Sequence, residues 1–249
     1  TSPTPRIREL DRSELDVLDV GRLQPDSAYS QTRFGQTPID GARIPDFDAV
    51  NRLIATRTGP EFRLYCELKT HLLDDTAAHA RHLADLFCTT LAASPVRART
   101  HVVSFDWRCL ENVRAAFPDL PIAHTTLPLF ITDPDRNPET PLSGLRGQLR
   151  AASAAGAQWL GKHDWRNQPG QTHGEKMLAA IAAAGGQHWF AFHQDVTSDT
   201  MTCATRLKLC VSAWSVNEPA DMERLARLGV SAIITDRPDL MRDLSKIQN

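Results

Sequence analysis

"SAWSVNEPADMERLARLGVSAIITDRPDL", residues 212–240, decides the fold. Val211, Ala213 and the Ser-Val pair after Trp214 make a short apolar run that stops at Asn217, Glu218 and Pro219, as a buried strand does. Pro219 then opens a helix in which Met222, Leu225, Ala226 and Leu228 recur at helical spacing until Gly229 ends it. "VSAIITD" reads as a second buried strand. A strand, helix and strand of this length form a right-handed crossover between parallel strands. Thr235, Asp236 and Pro238 therefore fall at the carboxyl end of a strand, where barrels and open α/β sheets build their sites.

Working outward, the same alternation repeats towards the front. "EFRLYCELKTH" is a strand with Leu64, Cys66 and Leu68 on one face and Tyr65, Glu67 and Lys69 on the other. After it come an amphipathic helix ("DTAAHARHLADLFCTTLAAS"), a strand ("THVVSFDW"), a helix ("CLENVRAAF") and a strand ("LPIAHTTLP"). A further helix ("EKMLAAIAAAGG"), strand ("QHWFAFH") and helix ("TSDTMTCATRL") lead back to the opening stretch. Alternation on this scale predicts a parallel α/β sheet, with strands near residues 62, 100, 121, 188, 209 and 230. That is six strands, where a closed (β/α) barrel has eight. Between residues 141 and 174 the pattern holds an Ala-rich helical piece and a Trp-rich polar loop that periodicity does not place. Ahead of the first strand, "ELDRSELDVLDVG" reads as a short capped helix starting at Asp11 or Ser13 and stopping at Gly21, and "FDAVNRLIAT" as another. The polar, Pro- and Gly-broken segment 22–46 between them is longer than connections usually are, which marks it as a covering or functional loop.

Composition sets the outer bounds. With 249 residues and 41% hydrophobic positions, a single α/β domain over 1–249 is the expectation. A formal charge of -2 and short basic runs without interleaved aromatics argue against nucleic acid as a partner. No apolar run approaches the roughly 18 residues of a membrane helix. The five cysteines form no CxxC pair, which argues against structural zinc or a disulfide framework and favours a cytoplasmic compartment. The sequence begins with Thr1 rather than Met, which points to upstream residues left out or removed.

"YCELKT", "VVSFDW", "VSAWSVNEP" and "GVSAIITDRPDL" resemble successive strand motifs of the glycerophosphodiester phosphodiesterase family, in the family's order. "LDVGRLQPDSAYSQTRFGQTPIDGARIPDFDAV" likewise resembles the family's insertion, opened by Asp-Val-Gly and closed by Arg-Ile-Pro. The resemblance runs from about residue 7 to residue 240. It implies a TIM barrel that hydrolyses glycerophosphodiesters to glycerol 3-phosphate and an alcohol with one divalent cation, Mg²⁺ or Ca²⁺. The family's opening motifs, a His-Arg-Gly strand, a Glu-x-Asp strand and a His-Asp pair, do not occur in this sequence. The expectation is thus a barrel lacking its first two strands, with exposed sheet edges that favour a homo-oligomer, and with the segment 22–46 packed over the open end.

The chemistry sets the candidates. Cleaving a phosphodiester monoanion needs charge relief at phosphorus and a proton for the leaving alkoxide, and carboxylates are the usual ligands of the hard cation that supplies the charge relief. By resemblance Glu67 is the metal ligand and Lys69 the catalytic lysine that meets the phosphate as a point charge; the plain alternative is a buried ion pair. Phe105 and Trp214 match positions that wall the substrate cleft, against the plain alternative that both are core. Among nine histidines, His124 at a strand end and His193 after "HWFAF" are the two expected beside the substrate. Ser104 in "SFDW" shows no histidine partner close in sequence, and Asn217 and Asp236 read as loop caps. Three readings follow: a phosphodiesterase, a non-catalytic relative that binds phosphodiesters or a protein partner, and a phospholipase-like barrel hydrolase with a metal. The loops at 130–145 and 161–173 are expected to select the alcohol.

Overall fold

Six parallel strands run in chain order through one sheet in the computed structural model of the chain, which describes residues 6–25, 27, 30, 37–136 and 142–244. They are β1 (Leu64–Glu67), β2 (Thr100–Ser104), β3 (Ile122–Thr125), β4 (His188–Phe192), β5 (Cys210–Trp214) and β6 (Ala232–Ile233). Register pairs Glu67 with Val103, Val103 with Ala123, Thr125 with Phe190, Phe192 with Trp214 and Ser212 with Ala232. Side chains alternate across a strand, so these residues share one face.

That face is the inside of a curl. The Tyr65 ring lies 5.9 Å from Phe190 of β4, and Phe105, just past β2, lies 5.4 Å from Trp214 of β5. In a flat sheet each pair would be three strand spacings apart, about 14 Å. The strands therefore form a half-barrel whose inner face carries Val103, Ala123 and Phe190, packed by Tyr65, Trp214 and Ile234. The outer face bears Val102, Ile122, Trp189, Val211 and Ala213, all buried. Burial of each large apolar chain there contributes roughly 1.5–3 kcal/mol.

Helices cover that outer face: α3 (Ala77–Ala92) packs on α4 (Trp107–Ala116), α4 on β2 and β3, α7 (His173–Ala183) on β4, and α8 (Ser198–Arg206) on β5. The deciding stretch folds largely as read. Its helix, α9 in the numbering of helices along the chain, spans Pro219–Leu228. It ends on Gly229 with φ +81°, a conformation a Cβ would strain, which lets Val230 N–H reach back to the Leu225 carbonyl at 3.3 Å. The strand expected over 230–236 is Ala232–Ile233; past it Val216 N–H donates to the Ile234 carbonyl at 2.8 Å, and Asn217 Oδ1 then accepts Asp236 N–H at 2.9 Å. The unplaced central region resolves into α5 (Leu129–Thr132), α6 (Gly144–Ala154) and two short turns at Gln158–Leu160 and Trp165–Asn167. A last helix, α10, spans Pro238–Leu244.

Residues 1–58 cluster as a compact unit apart from 59–249. Within it, α1 (Arg12–Leu15) is capped by Asp11, whose carboxylate accepts Glu14 N–H at 3.0 Å, while Glu14 accepts Asp11 N–H at 2.8 Å. The expected stop at Gly21 lies six residues past Leu15, the end of this one-turn helix. Gly21 instead closes the base of the insertion: Asp19 accepts Gly21 N–H and Gly41 N–H at 2.9 and 2.7 Å, and a Cβ on Gly21 would stand 1.8 Å from the Ile39 carbonyl oxygen. The covering role expected of 22–46 falls partly on residues 26, 28, 29 and 31–36, outside the described set. The unit ends in α2 (Phe47–Arg57), capped by Asp46. Among the described residues, no helix is long and apolar enough to cross a membrane.

Candidate active site

The carboxyl ends of β1, β2 and β5 carry four of the six candidates on the inner face or just beyond it. Glu67 ends β1, and Lys69 follows two residues later on the same side. Their carboxylate and ammonium stand 3.4 Å apart with side chains 32% and 75% exposed, so the pair is not a buried one. Leu68 N–H donates to the Val103 carbonyl at 2.9 Å, and Ser104 Oγ donates to the Leu68 carbonyl at 2.6 Å. These bonds extend the β1–β2 pairing past the strand and set Lys69 level with Phe105. Ser104 also accepts Asp106 N–H at 3.0 Å, so its hydroxyl staples two strand ends and is not poised as a nucleophile.

Phe105 and Trp214 meet edge to face at 5.4 Å, a favoured aromatic geometry. Trp214 Nε1–H donates to the Phe190 carbonyl at 3.1 Å, which fixes the indole over the sheet. Two rings that sequence reading missed continue the wall: Phe192 lies 5.4 Å from Trp214, and Phe130 of α5 lies 6.1 Å from Phe192. Phe192 was signalled by the two-residue alternation of "HWFAF", whereas Phe130 sits on a one-turn helix with no readable period.

The two histidines separate. His193, the residue after β4, packs its ring 4.7 Å from Phe192 and points Nδ1 at Asp221, 3.6 Å away. Burial holds its imidazole below the ordinary pKa, with the Asp221 carboxylate opposing and the Arg224 guanidinium assisting. His124 lies on the outer, helix-covered face, 2% exposed and edge-on to Trp107 at 4.9 Å. The sheet separates it from Glu67, so the structure does not bring it to the other candidates. Asn217 bridges strand ends: it accepts Asp236 N–H at 2.9 Å and Thr235 Oγ1–H at 3.1 Å, and donates to the Asp236 carboxylate at 3.0 Å. That is the capping role read for it.

The chain matches the model of the glycerophosphoryl diester phosphodiesterase family over residues 1–240. The chain belongs to that family. A glycerophosphoryl diester phosphodiesterase structure from Silicibacter pomeroyi DSS-3 is 26% identical, with a TM-score of 0.74, over 98% of this chain and 72% of that one. A family structure from Galdieria sulphuraria (17% identical, TM-score 0.54) matches 97% of this chain and 73% of that one. An Oleispira antarctica phosphodiesterase in complex with sn-glycerol-3-phosphate (13% identical, TM-score 0.54) matches 84% of this chain and 63% of that one. The last two bear on the fold alone. No curated protein sequence matches the chain.

Family membership makes the enzyme class that of the phosphodiester hydrolases and implies a divalent cation. Among the described residues, no group of three His, Cys, Asp or Glu side chains is placed to hold one. Glu67 is a single carboxylate whose neighbour is the Lys69 ammonium. One such oxygen ligand does not make a site for a hard cation that takes six or more, so the described residues do not by themselves fit the ion.

Proposed function

We propose that the carboxyl end of the half-barrel binds glycerophosphodiesters for hydrolysis to glycerol 3-phosphate and an alcohol. The observation that carries this reading is the exposed Glu67–Lys69 pair set level with the Phe105–Trp214 wall. Lys69, a flexible point charge with most of its surface free, suits a non-bridging phosphoryl oxygen. The rings suit the carbon skeleton of the glycerol and exclude water from the bond to be broken. His193 borders the wall through Phe192. Glu67 is the ligand this chain would offer Mg²⁺ or Ca²⁺, and its companions in this reading are the acidic groups of the Glu-x-Asp motif that the family resemblance implies. The fold in this reading is the TIM barrel of the family.

The lack of a three-ligand group among the described residues favours a second reading, in which the chain binds phosphodiesters without cutting them. Calorimetric binding of each diester, paired with one turnover assay, separates the two. Release of glycerol 3-phosphate from glycerophosphocholine and glycerophosphoethanolamine is followed with Mg²⁺ or Ca²⁺ for the chain, for Glu67→Ala, and for the chain fused behind a segment bearing the His-Arg-Gly and Glu-x-Asp motifs. Turnover in the chain or the fusion, lost at least a hundredfold in Glu67→Ala, is the expected result. Binding without turnover in either form supports the second reading, and no binding of either diester removes both.

A further inference from the structure

Lys69 sits between two tethers. On its near side Leu68 is tied through both main-chain groups, its N–H to the Val103 carbonyl at 2.9 Å and its carbonyl to Ser104 Oγ at 2.6 Å. On its far side the half-buried Thr70 donates its hydroxyl to Asp106 Oδ2 at 2.8 Å. Among the described residues, Lys69 makes no main-chain hydrogen bond of its own, and its ammonium pairs with Glu67 at 3.4 Å. An exposed pair of that kind holds a side chain weakly. The place of the ammonium therefore follows from where residues 68 and 70 put the main chain of Lys69.

Asp106 does more than cap its helix. Capping α4 takes one oxygen, which accepts Arg108 N–H at 3.1 Å. The Asp106 side chain is fully buried, and Arg108 clasps it with Nε on Oδ1 at 2.8 Å and Nη2 on Oδ2 at 2.7 Å, which offsets the cost of burying the charge. Nη2 also reaches the Asp75 carbonyl at 2.9 Å, and the Asp75 carboxylate accepts His71 N–H at 2.8 Å. Asp106 is thus a fixed point for the segment 68–75, and Thr70 is the residue through which it takes hold beside Lys69.

We propose that Thr70 is a positioning residue: its hydroxyl, held by Asp106, aims the Lys69 ammonium at a phosphoryl oxygen. This rests on the reading of Lys69 as the cation that meets the phosphate. Lys69 is 75% exposed and so open to a ligand, whereas Thr70 acts through the main chain it shares with Lys69 and touches no ligand itself.

The test is a calorimetric cycle with sn-glycerol 3-phosphate on the full chain, Thr70→Val, Thr70→Ser, Lys69→Ala and the Lys69→Ala/Thr70→Val double variant. Lys69→Ala is expected to weaken binding about tenfold, Thr70→Val about fivefold and Thr70→Ser less than about twofold, while in the Lys69→Ala background Thr70→Val should cost nothing further. Valine leaves the Asp106–Arg108 pair intact, so amide hydrogen exchange should quicken at residues 69–71 and stay at the wild-type rate in α4. Full affinity in Thr70→Val, an equal loss with and without Lys69, a loss in Thr70→Ser as large as in Thr70→Val, or faster exchange throughout α4 overturns the proposal alone. If wild type does not bind the phosphate, or Lys69→Ala binds it as well as wild type, the underlying reading of Lys69 fails and takes this one with it.

Discussion

Trp214 and His124 read as equals in the sequence, each an aromatic group at a strand end, yet strand parity gives them opposite duties. Trp214 faces inward with Phe105 and Phe192, while His124 faces the helices, and burial drives its imidazole down to about 3. Gly186 leaves room on that side: a Cβ there would lie 2.6 Å from Ile181 Cγ2, 2.7 Å from His124 Nδ1 and 2.8 Å from the Ile181 carbonyl oxygen. Trp214→Ala should therefore weaken glycerol 3-phosphate about tenfold, a loss of roughly 1.4 kcal/mol. His124→Gln should change that dissociation constant less than about twofold. Titration calorimetry on both variants decides, and a larger loss in His124→Gln would mean the face assignment is wrong. The shared face of Glu67 and Lys69 was legible because two-residue spacing along one strand fixes it, whereas the roles read for them and for Phe105 came from the family resemblance alone. The face of His124 was not legible, because "LPIAHTTLP" is apolar on both sides and its parity depends on which neighbour it pairs with.

At the scale of the element, α5 shows how a one-turn helix is held. Asp195 accepts Leu129 N–H at 2.9 Å, and Thr132 Oγ1 pairs with His173 Nε2 at 2.9 Å. From α6, Arg150 donates to the carbonyls of Phe130, Ile131 and Arg136, the last two at 3.0 and 2.7 Å. A four-residue helix has too few internal bonds to persist alone, so the clamp is what keeps Phe130 against Phe192. Arg150→Met preserves the stem and removes every donor. It should speed amide hydrogen exchange across 129–133 by tenfold or more and lower stability by about 1–3 kcal/mol; unchanged exchange there would show that Asp195 and His173 suffice. The strands and long helices around the sheet were readable because each repeats a period. This assembly was not, since its holding partners are main-chain carbonyls 14 to 20 residues away. The specificity loops expected at 130–145 and 161–173 include this element, though residues 137–141 lie outside the described set.

For the whole molecule, the buried titratable groups set an acid limit. Burial holds His124 at about 3 and His173 and His188 at about 4, with Arg114 reinforcing it at His124 and His101 at His188, while Asp133 and Asp135 oppose it at His173. An unfolded imidazole titrates near 6.5. As pH falls below that value the unfolded chain takes up protons that the fold refuses, so each histidine costs stability by up to about 1.4 kcal/mol per pH unit until its folded pKa is reached. Asp195 works the other way. Burial raises its carboxyl to about 6 against the Leu129 N–H and Arg136, so between pH 6 and the unfolded value near 3.9 the fold holds a proton the open chain lacks, and stability gains as pH falls. The three most strongly shifted histidines set against Asp195 leave a net loss of roughly 1–3 kcal/mol per unit between about pH 6 and 4, and burial of His101 and His193 acts in the same direction. Urea midpoints should thus fall from about pH 7.5 to 5. His124→Gln should flatten that fall, and Asp195→Asn should steepen it by removing an opposing contribution. A midpoint independent of pH over this range, or an Asp195→Asn chain that resists acid better than wild type, would show that these groups do not govern the stability of the half-barrel.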